Sequence, residues 1–132
     1  MDELKHKSQF NMDAANFLIE KNLYASSVHC SYYSCIQLAK HVLLNKLGIT
    51  EQILKQNYTK PIGSHNIIRE AIIKELKSRT NDRFKITQFN SKFGIVKQLR
   101  EESDYHEVVI DSKKATDSVK HSTFINEILK TI

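Results

Sequence analysis

Apolar residues recur at three- and four-residue steps along most of the chain, which is the spacing of helices that bury one face. The pattern predicts five helices joined by short connections. Their expected extents are up to Asn22, about Leu23 to Leu47, Ser64 to near Thr80 and Asn81, about Phe84 to Asp104, and from Asp111 or Ser112 onward.

The same spacing predicts which face of each helix is buried. In chain order, the five faces consist of Phe10, Ala14, Phe17 and Leu18; Val28, Tyr32, Cys35, Ile36, Ala39, Val42 and Leu43; Ile68, Ala71, Ile72 and Leu76; Ile86, Phe89, Phe93 and Val96; and Ala115, Val119, Ile125, Leu129 and Ile132. The second helix is expected at the centre of the bundle.

Residues that break helices are scarce, with three glycines and one proline in 132 residues. Gly48 is placed to end the second helix, and residues 49–63 form a connection in which Thr50 caps a short turn. Gly94, inside the fourth helix, indicates close packing against a neighbour. The chain is therefore expected to be a single all-α domain over residues 1–132, an up-and-down bundle of four to five helices.

Composition and short motifs argue against a membrane protein, a secreted protein and a metalloprotein. No apolar run is long enough to span a membrane, and the N-terminus lacks a signal-peptide pattern. Cys30 and Cys35 diverge on one helix, which predicts free thiols in a reducing, cytoplasmic compartment. The net charge of +5 is compatible with a polyanionic partner. Because the sequence has no CxxC pair, no HxxxH and no acidic cluster, we expect neither a metal nor a cofactor.

Arg100 stands out because it lies on the apolar side of the fourth helix, four residues after Val96. Asp104 follows four residues later, within reach of an ion pair. One interpretation is therefore a structural Arg–Asp pair that closes the end of a core helix.

His106 offers the alternative interpretation of the same segment. On a continuous helix it would point about 240° away from Arg100, so the two side chains converge only if the helix breaks near Tyr105. A histidine beside an arginine and a tyrosine at a helix end is suited to acid–base chemistry next to an anion clamp.

Two further positions carry candidate binding groups. Tyr32 and Tyr33 point about 100° apart, so one ring packs in the core and the other lies at its edge, where it could line a groove for a base. Ser64 and His65 open the third helix, where ordinary capping by Ser64 competes with binding of a phosphate.

These residues together resemble the HEPN domain family. The resemblance rests on the tyrosine-rich second helix (AANFLIEKNLYASSVHCSYYSCIQLAKHVLL), on GSHNIIREAI, and on LREESDYHEVV. It implies an all-α bundle that forms a homodimer, and in many members a metal-independent ribonuclease that acts as a toxin beside a nucleotidyltransferase partner. In that ribonuclease motif an Arg precedes a His by four to six intervening residues. Arg100 would then stabilise charge on the phosphate and His106 would assist proton transfer from the RNA 2′-hydroxyl, with Asp104 and Tyr105 in support.

Three functions are compatible with the sequence. The first is an endoribonuclease of toxin–antitoxin or defence type. The second is a noncatalytic binding or adaptor module that associates with a nucleotidyltransferase partner or a nucleotide. The third is a structural helical domain in which the Arg100–Asp104 pair only locks the bundle.

Overall fold

Six α-helices make up the computed structural model of the protein, which describes residues 2–56, 63–105 and 107–132, and these residues contain no strand. The helices are α1 (Glu3–Glu20), α2 (Tyr24–His41), α3 (Glu51–Gln56), α4 (Ser64–Arg79), α5 (Arg83–Ser103) and α6 (Ser112–Leu129). The prediction of an all-α fold is confirmed. The expected four to five helices become six because the short α3 forms within the segment predicted as a connection.

The centre of the bundle is α2, which packs against α1, α4, α5 and α6. All seven residues of its predicted face are buried. The helix continues into a π-helical turn, Val42–Lys46. Gly48 then adopts φ +66°, a left-handed conformation that most side chains disfavour, and the helix ends there as predicted.

The predicted face of α1 is wrong at its two aromatic positions, while Ala14 and Leu18 are half-buried. Phe10 and Phe17 are 71% and 57% exposed, whereas Ser8 and Ala15 are buried. The reason is a reciprocal pair of hydrogen bonds between α1 and α2. The hydroxyl of Ser8 donates to the carbonyl of Ser34 at 2.7 Å, and the hydroxyl of Ser34 donates to the carbonyl of Ser8 at 2.8 Å. Small side chains let the two backbones approach closely, so serines occupy the interface and the aromatic rings face outward.

The predicted faces of α4 and α5 pack against each other and against α2, with Ile72, Phe89 and Phe93 fully buried. Gly94 lies at this contact, because a Cβ at its position would be 3.2 Å from Nη2 of Arg69. Close packing at Gly94 is therefore confirmed.

Helix capping agrees with the sequence at two positions and disagrees at a third. Asp111 caps α6 by accepting from the N–H of Lys114, and Thr50 accepts from the N–H of Ile53 at the start of α3. Ser64, by contrast, is the first residue of α4 and does not cap it. Gly63 holds the capping position, without a side-chain hydrogen bond.

No helix within the described residues is both long and apolar enough to cross a bilayer.

Phe93→Ala should lower the free energy of unfolding by about 3–5 kcal/mol, since it leaves a cavity where a fully buried ring contacts both Phe89 and Tyr32. Urea denaturation followed by circular dichroism measures the change. Phe84→Ala is the matched control on the same helix. Because the ring of Phe84 is 74% exposed, its loss should change stability by less than about 0.5 kcal/mol. Equal losses for the two variants would contradict the position of Phe93 in the core.

Candidate functional site

Side chains from three helices meet on one side of the bundle, in a group that we call the arginine cluster. Its members are His29, Tyr32 and Tyr33 of α2, His65 of α4, and Arg100 with Asp104 at the end of α5. The antiparallel packing of α4 and α5 brings the first turn of α4 beside the last turn of α5, and α2 lies beneath both.

Asp104 connects two of the cluster's basic groups. Nη1 of Arg100 donates to Oδ2 of Asp104 at 3.0 Å, and Nε2 of His29 lies 2.7 Å from Oδ1. An ionised carboxylate only accepts hydrogen bonds, so the proton of this second bond is carried by Nε2 of His29. The side chains of Arg100 and Asp104 remain 25% and 45% exposed. The pair is therefore open to solvent on one side.

The two tyrosines form the floor of the cluster. The ring of Tyr32 is fully buried, and its hydroxyl shares a 2.8 Å hydrogen bond with Nδ1 of His65. Tyr33 is half-buried and stacks on His29. The guanidinium of Arg100 lies over both tyrosine rings, 5.6 and 5.8 Å from their centroids. Cation–π attraction thus holds Arg100 from below. The prediction that one ring packs in the core and the other at its edge is confirmed.

The charge states of the ion pair follow from these contacts. Burial acts to raise the pKa of Asp104, but hydrogen bonds from Arg100 and His29 outweigh it and bring that pKa below its ordinary value. Burial acts to lower the pKa of Arg100, but Tyr33 and the hydrogen bond to Asp104 raise it above its ordinary value. Both groups are therefore charged at neutral pH.

His65, unlike Arg100 and Asp104, is uncharged at neutral pH. Burial, followed by the positive charges of Arg100, Lys40 and Lys97, lowers its pKa from the ordinary 6.5. Burial also raises the pKa of its partner Tyr32. At neutral pH the cluster therefore combines a charged guanidinium with a neutral imidazole, the form that accepts a proton.

The structure brings together some of the predicted site residues and separates others. Arg100, Asp104, Tyr32, Tyr33 and His65 all belong to the cluster. Tyr105 is 64% exposed, and the cluster's ring contacts among described residues do not include it. Ser64 is exposed and lines a separate cleft of about 220 Å³ with Lys40 and Lys55. α5 ends at Ser103, just before the predicted break near Tyr105. The predicted site residue His106 lies outside the described residues.

His29 is a member of the cluster that the sequence interpretation missed. It precedes Tyr33 by four residues, so both side chains share one face of α2. A search for polar groups one turn from each tyrosine would have found it. Its partner Asp104 is 75 residues away in sequence, and no local pattern indicates that contact.

The arrangement suits an anion more than a metal ion. Among the described residues, no three His, Cys, Asp or Glu side chains come together as a metal site would require. In addition, Nε of Arg100 is buried and has no acceptor within the described part of the chain. The cluster has a fixed cation, a neutral imidazole and an imidazole bound to a carboxylate. A phosphate with a nearby hydroxyl fits these groups.

Comparisons of the chain with known protein families, with curated proteins and with solved structures find no match. The resemblance to HEPN domains therefore rests on the residues quoted from the sequence.

The pKa of His65 should lie below 6.5 and should rise in Arg100→Gln, because that change removes a positive charge close to the ring. The titration of its ring protons by NMR between pH 4 and 8 measures both values. Arg79→Gln is the control, since Arg79 pairs with Glu75 at the other end of α4. An unchanged His65 titration in Arg100→Gln would contradict the proximity of the two side chains.

Stability should fall as pH is lowered from 7 through the histidine range. Burial holds the pKa of His41, His65 and His121 below 6.5 in the folded protein. The unfolded chain therefore binds more protons once the pH drops below 6.5, and unfolding is favoured. His65→Gln should reduce this loss without abolishing it. Thermal unfolding at pH 7 and pH 5 tests the prediction, and an identical pH dependence in the two proteins would exclude a contribution from His65.

Proposed function

We propose that this protein is a metal-independent endoribonuclease whose site is the arginine cluster, within a HEPN-like domain of toxin–antitoxin or defence type. The observation that carries the proposal is the meeting of Arg100, two tyrosine rings and two histidines from three helices on one half-exposed surface. The same proposal includes a homodimer, as the resemblance implies, and a cytoplasmic location, which the free thiols of Cys30 and Cys35 favour.

The chemistry requires no group from outside the chain. The 2′-oxygen of a ribose attacks the adjacent phosphorus, and the bond from phosphorus to the 5′-oxygen breaks. A base takes the 2′ proton, an acid returns a proton to the 5′-oxygen, and a cation stabilises the negative charge on the phosphate. The products are a 2′,3′-cyclic phosphate and a 5′-hydroxyl end.

Each of these roles has a candidate in the chain. Arg100 is the cation. His65 is neutral at pH 7 and suited to accept the 2′ proton. His29 would be the acid in its doubly protonated form, since a neutral imidazole is too weak an acid to protonate the 5′-oxygen. His106 remains a second candidate for the base, because five residues separate it from Arg100, as the resemblance requires. Tyr33 is half-buried and offers a π-face beside the phosphate position, whereas the buried ring of Tyr32 supports Arg100 from below.

Asp104 must release Arg100 for the phosphate to bind. The pair is partly exposed, and exposed ion pairs contribute little to stability. A phosphodiester, like the carboxylate, offers two anionic oxygens in a geometry that suits bidentate binding, so it is able to compete for the guanidinium. Asp104 would hold the arginine and His29 in position until substrate arrives.

A second function is favoured by a different observation. Arg100 is paired with Asp104, and an apolar patch of α1 and the following turn is exposed elsewhere: Phe10, Phe17 and Leu23 are 71%, 57% and 53% exposed. Such a patch is typical of a surface that binds another protein. On this alternative the chain is a noncatalytic module that associates with a nucleotidyltransferase-type partner or a nucleotide.

The decisive experiment is incubation of the folded protein with single-stranded RNA in EDTA, with analysis of the product ends. The wild type should cleave, and Arg100→Ala should slow cleavage about 10²–10³-fold because charge on the phosphate is no longer stabilised. His65→Ala and His106→Ala, tested separately, identify the base, whose loss should cost about 10²-fold or more. Arg79→Ala is the matched control, since it removes an arginine that is also paired with a carboxylate.

Two results would overturn the endoribonuclease proposal. One is absence of cleavage by a folded wild-type protein, which would favour the binding module. The other is equal slowing by Arg79→Ala and Arg100→Ala, which would show that the cluster has no special role.

A further inference from the structure

A line of positive charge runs along the packed pair of helices α4 and α5, away from the arginine cluster. It begins at Arg100 and Lys97, continues through Arg69 near the middle, and ends at Lys77 and Arg83. Arg83 and Arg100 are both on α5, so the line is about 25 Å long at 1.5 Å per residue. We call it the α4–α5 track.

The far end of the track is a cleft at the turn between the two helices. It has a volume of about 670 Å³ and is lined by Lys77, Thr80, Asn81, Arg83, Ile86 and Thr87. Lys77 and Arg83 are exposed, and neither has a carboxylate partner in the described part of the chain. Two free cations therefore stand beside hydroxyl and amide groups that also bind phosphate oxygens.

Arg69 lies at the middle of the track. Its Nε donates to the side-chain oxygen of Asn90 and its Nη2 to the backbone carbonyl of Asn90, both at 2.8 Å. These acceptors are neutral, so they fix the guanidinium without cancelling its charge. Gly94 leaves the space that Arg69 occupies, since a Cβ there would meet Nη2 at 3.2 Å. Within the described residues, Arg69 is therefore held against α5 by its hydrogen bonds to Asn90 and by the space at Gly94, and it forms no ion pair there.

Acidic side chains on the same helices leave three of the track's five cations, Arg69, Lys77 and Arg83, without an ion pair in the described residues. Glu75 pairs with Arg79, and Asp82 caps α5 by accepting from the N–H of Lys85. In the part of the chain that the structure describes, ion pairs on the track's own cations occur at the cluster end, where Glu101 pairs with Lys97 and Asp104 with Arg100. Glu70 forms no ion pair with Arg69 in the described residues, although, against the lowering by burial, its charge acts to raise the pKa of Arg69.

We propose that the α4–α5 track binds the phosphodiester backbone of single-stranded RNA, so that a strand held in the cleft at Lys77 and Arg83 extends to the arginine cluster. The inference rests on the proposed function for the position of the reacting phosphate. The line has five cations over a length that suits a single strand, since such sites cover roughly 4–16 nucleotides. A phosphate backbone is the polyanion whose charge repeats along such a line.

The test measures binding apart from cleavage. A single-stranded RNA of about 12 nucleotides with 2′-O-methyl groups cannot be cleaved, because the attacking 2′-hydroxyl is blocked. Its binding is followed by fluorescence anisotropy between about 50 and 200 mM salt. Lys77→Gln/Arg83→Gln should weaken binding by about fivefold to tenfold and lower the salt slope by about 1.4, or about 0.7 for each lost phosphate contact.

The matched control is Lys5→Gln/Lys7→Gln, which removes the same charge from exposed positions of α1. α1 packs on α2 and α6, away from the track, so this variant should bind nearly as the wild type does. Equal weakening by both double variants would indicate net charge alone and would overturn the track. So would absence of RNA binding, or equally tight binding of polyglutamate.

The binding and cleavage experiments distinguish a wrong RNA-binding proposal from a wrong endoribonuclease proposal. If the wild type binds the blocked RNA but does not cleave unmodified RNA, the track stands and the endoribonuclease is wrong. If the wild type cleaves and Lys77→Gln/Arg83→Gln binds and cleaves equally well, the endoribonuclease stands and the track is wrong.

Discussion

The buried ring of Tyr32 is the contact on which both the core and the candidate site depend. It is fully buried in α2, touches Phe93 of α5 edge to face, and shares its hydroxyl with His65 of α4. The guanidinium of Arg100 lies over the same ring. A tyrosine is suited to this position because its ring fills the core while its hydroxyl reaches a polar partner. The same side chain therefore packs three helices together and positions the charged groups of the site.

The arginine cluster is supported on its core side and partly exposed on its solvent side. The tyrosine rings support Arg100 from the core side, and Asp104 holds it from the solvent side, where the pair is partly exposed. The burial and positive surroundings that keep His65 neutral also place it among cations that attract a phosphate. A phosphate entering this surface would meet a guanidinium already oriented, and so would lose little freedom in ordering it.

Local pattern predicted the described helices well where neighbours impose ordinary apolar packing. Every residue of the α2 face is buried, and α5 was expected within one residue of its actual ends. The pattern failed on α1, because Phe10 and Phe17 have helical spacing yet lie outside, while Ser8 and Ala15 form the contact. Periodicity identifies a face of large apolar residues. It does not recognise a face of small residues whose hydroxyls bond to a neighbouring backbone. The same limit hid His29, whose partner is distant in sequence.

By itself, the sequence determined the all-α class, the central position of α2, the end of α5 near Tyr105, and the reach between Arg100 and Asp104. Each of these depends on spacing within a single helix. Only the tertiary structure decided that His65 meets Tyr32, that His29 shares Asp104 with Arg100, and that Arg69 lies against Gly94. Those contacts join different helices, and their geometry follows from how closely the helices pack and at what angle.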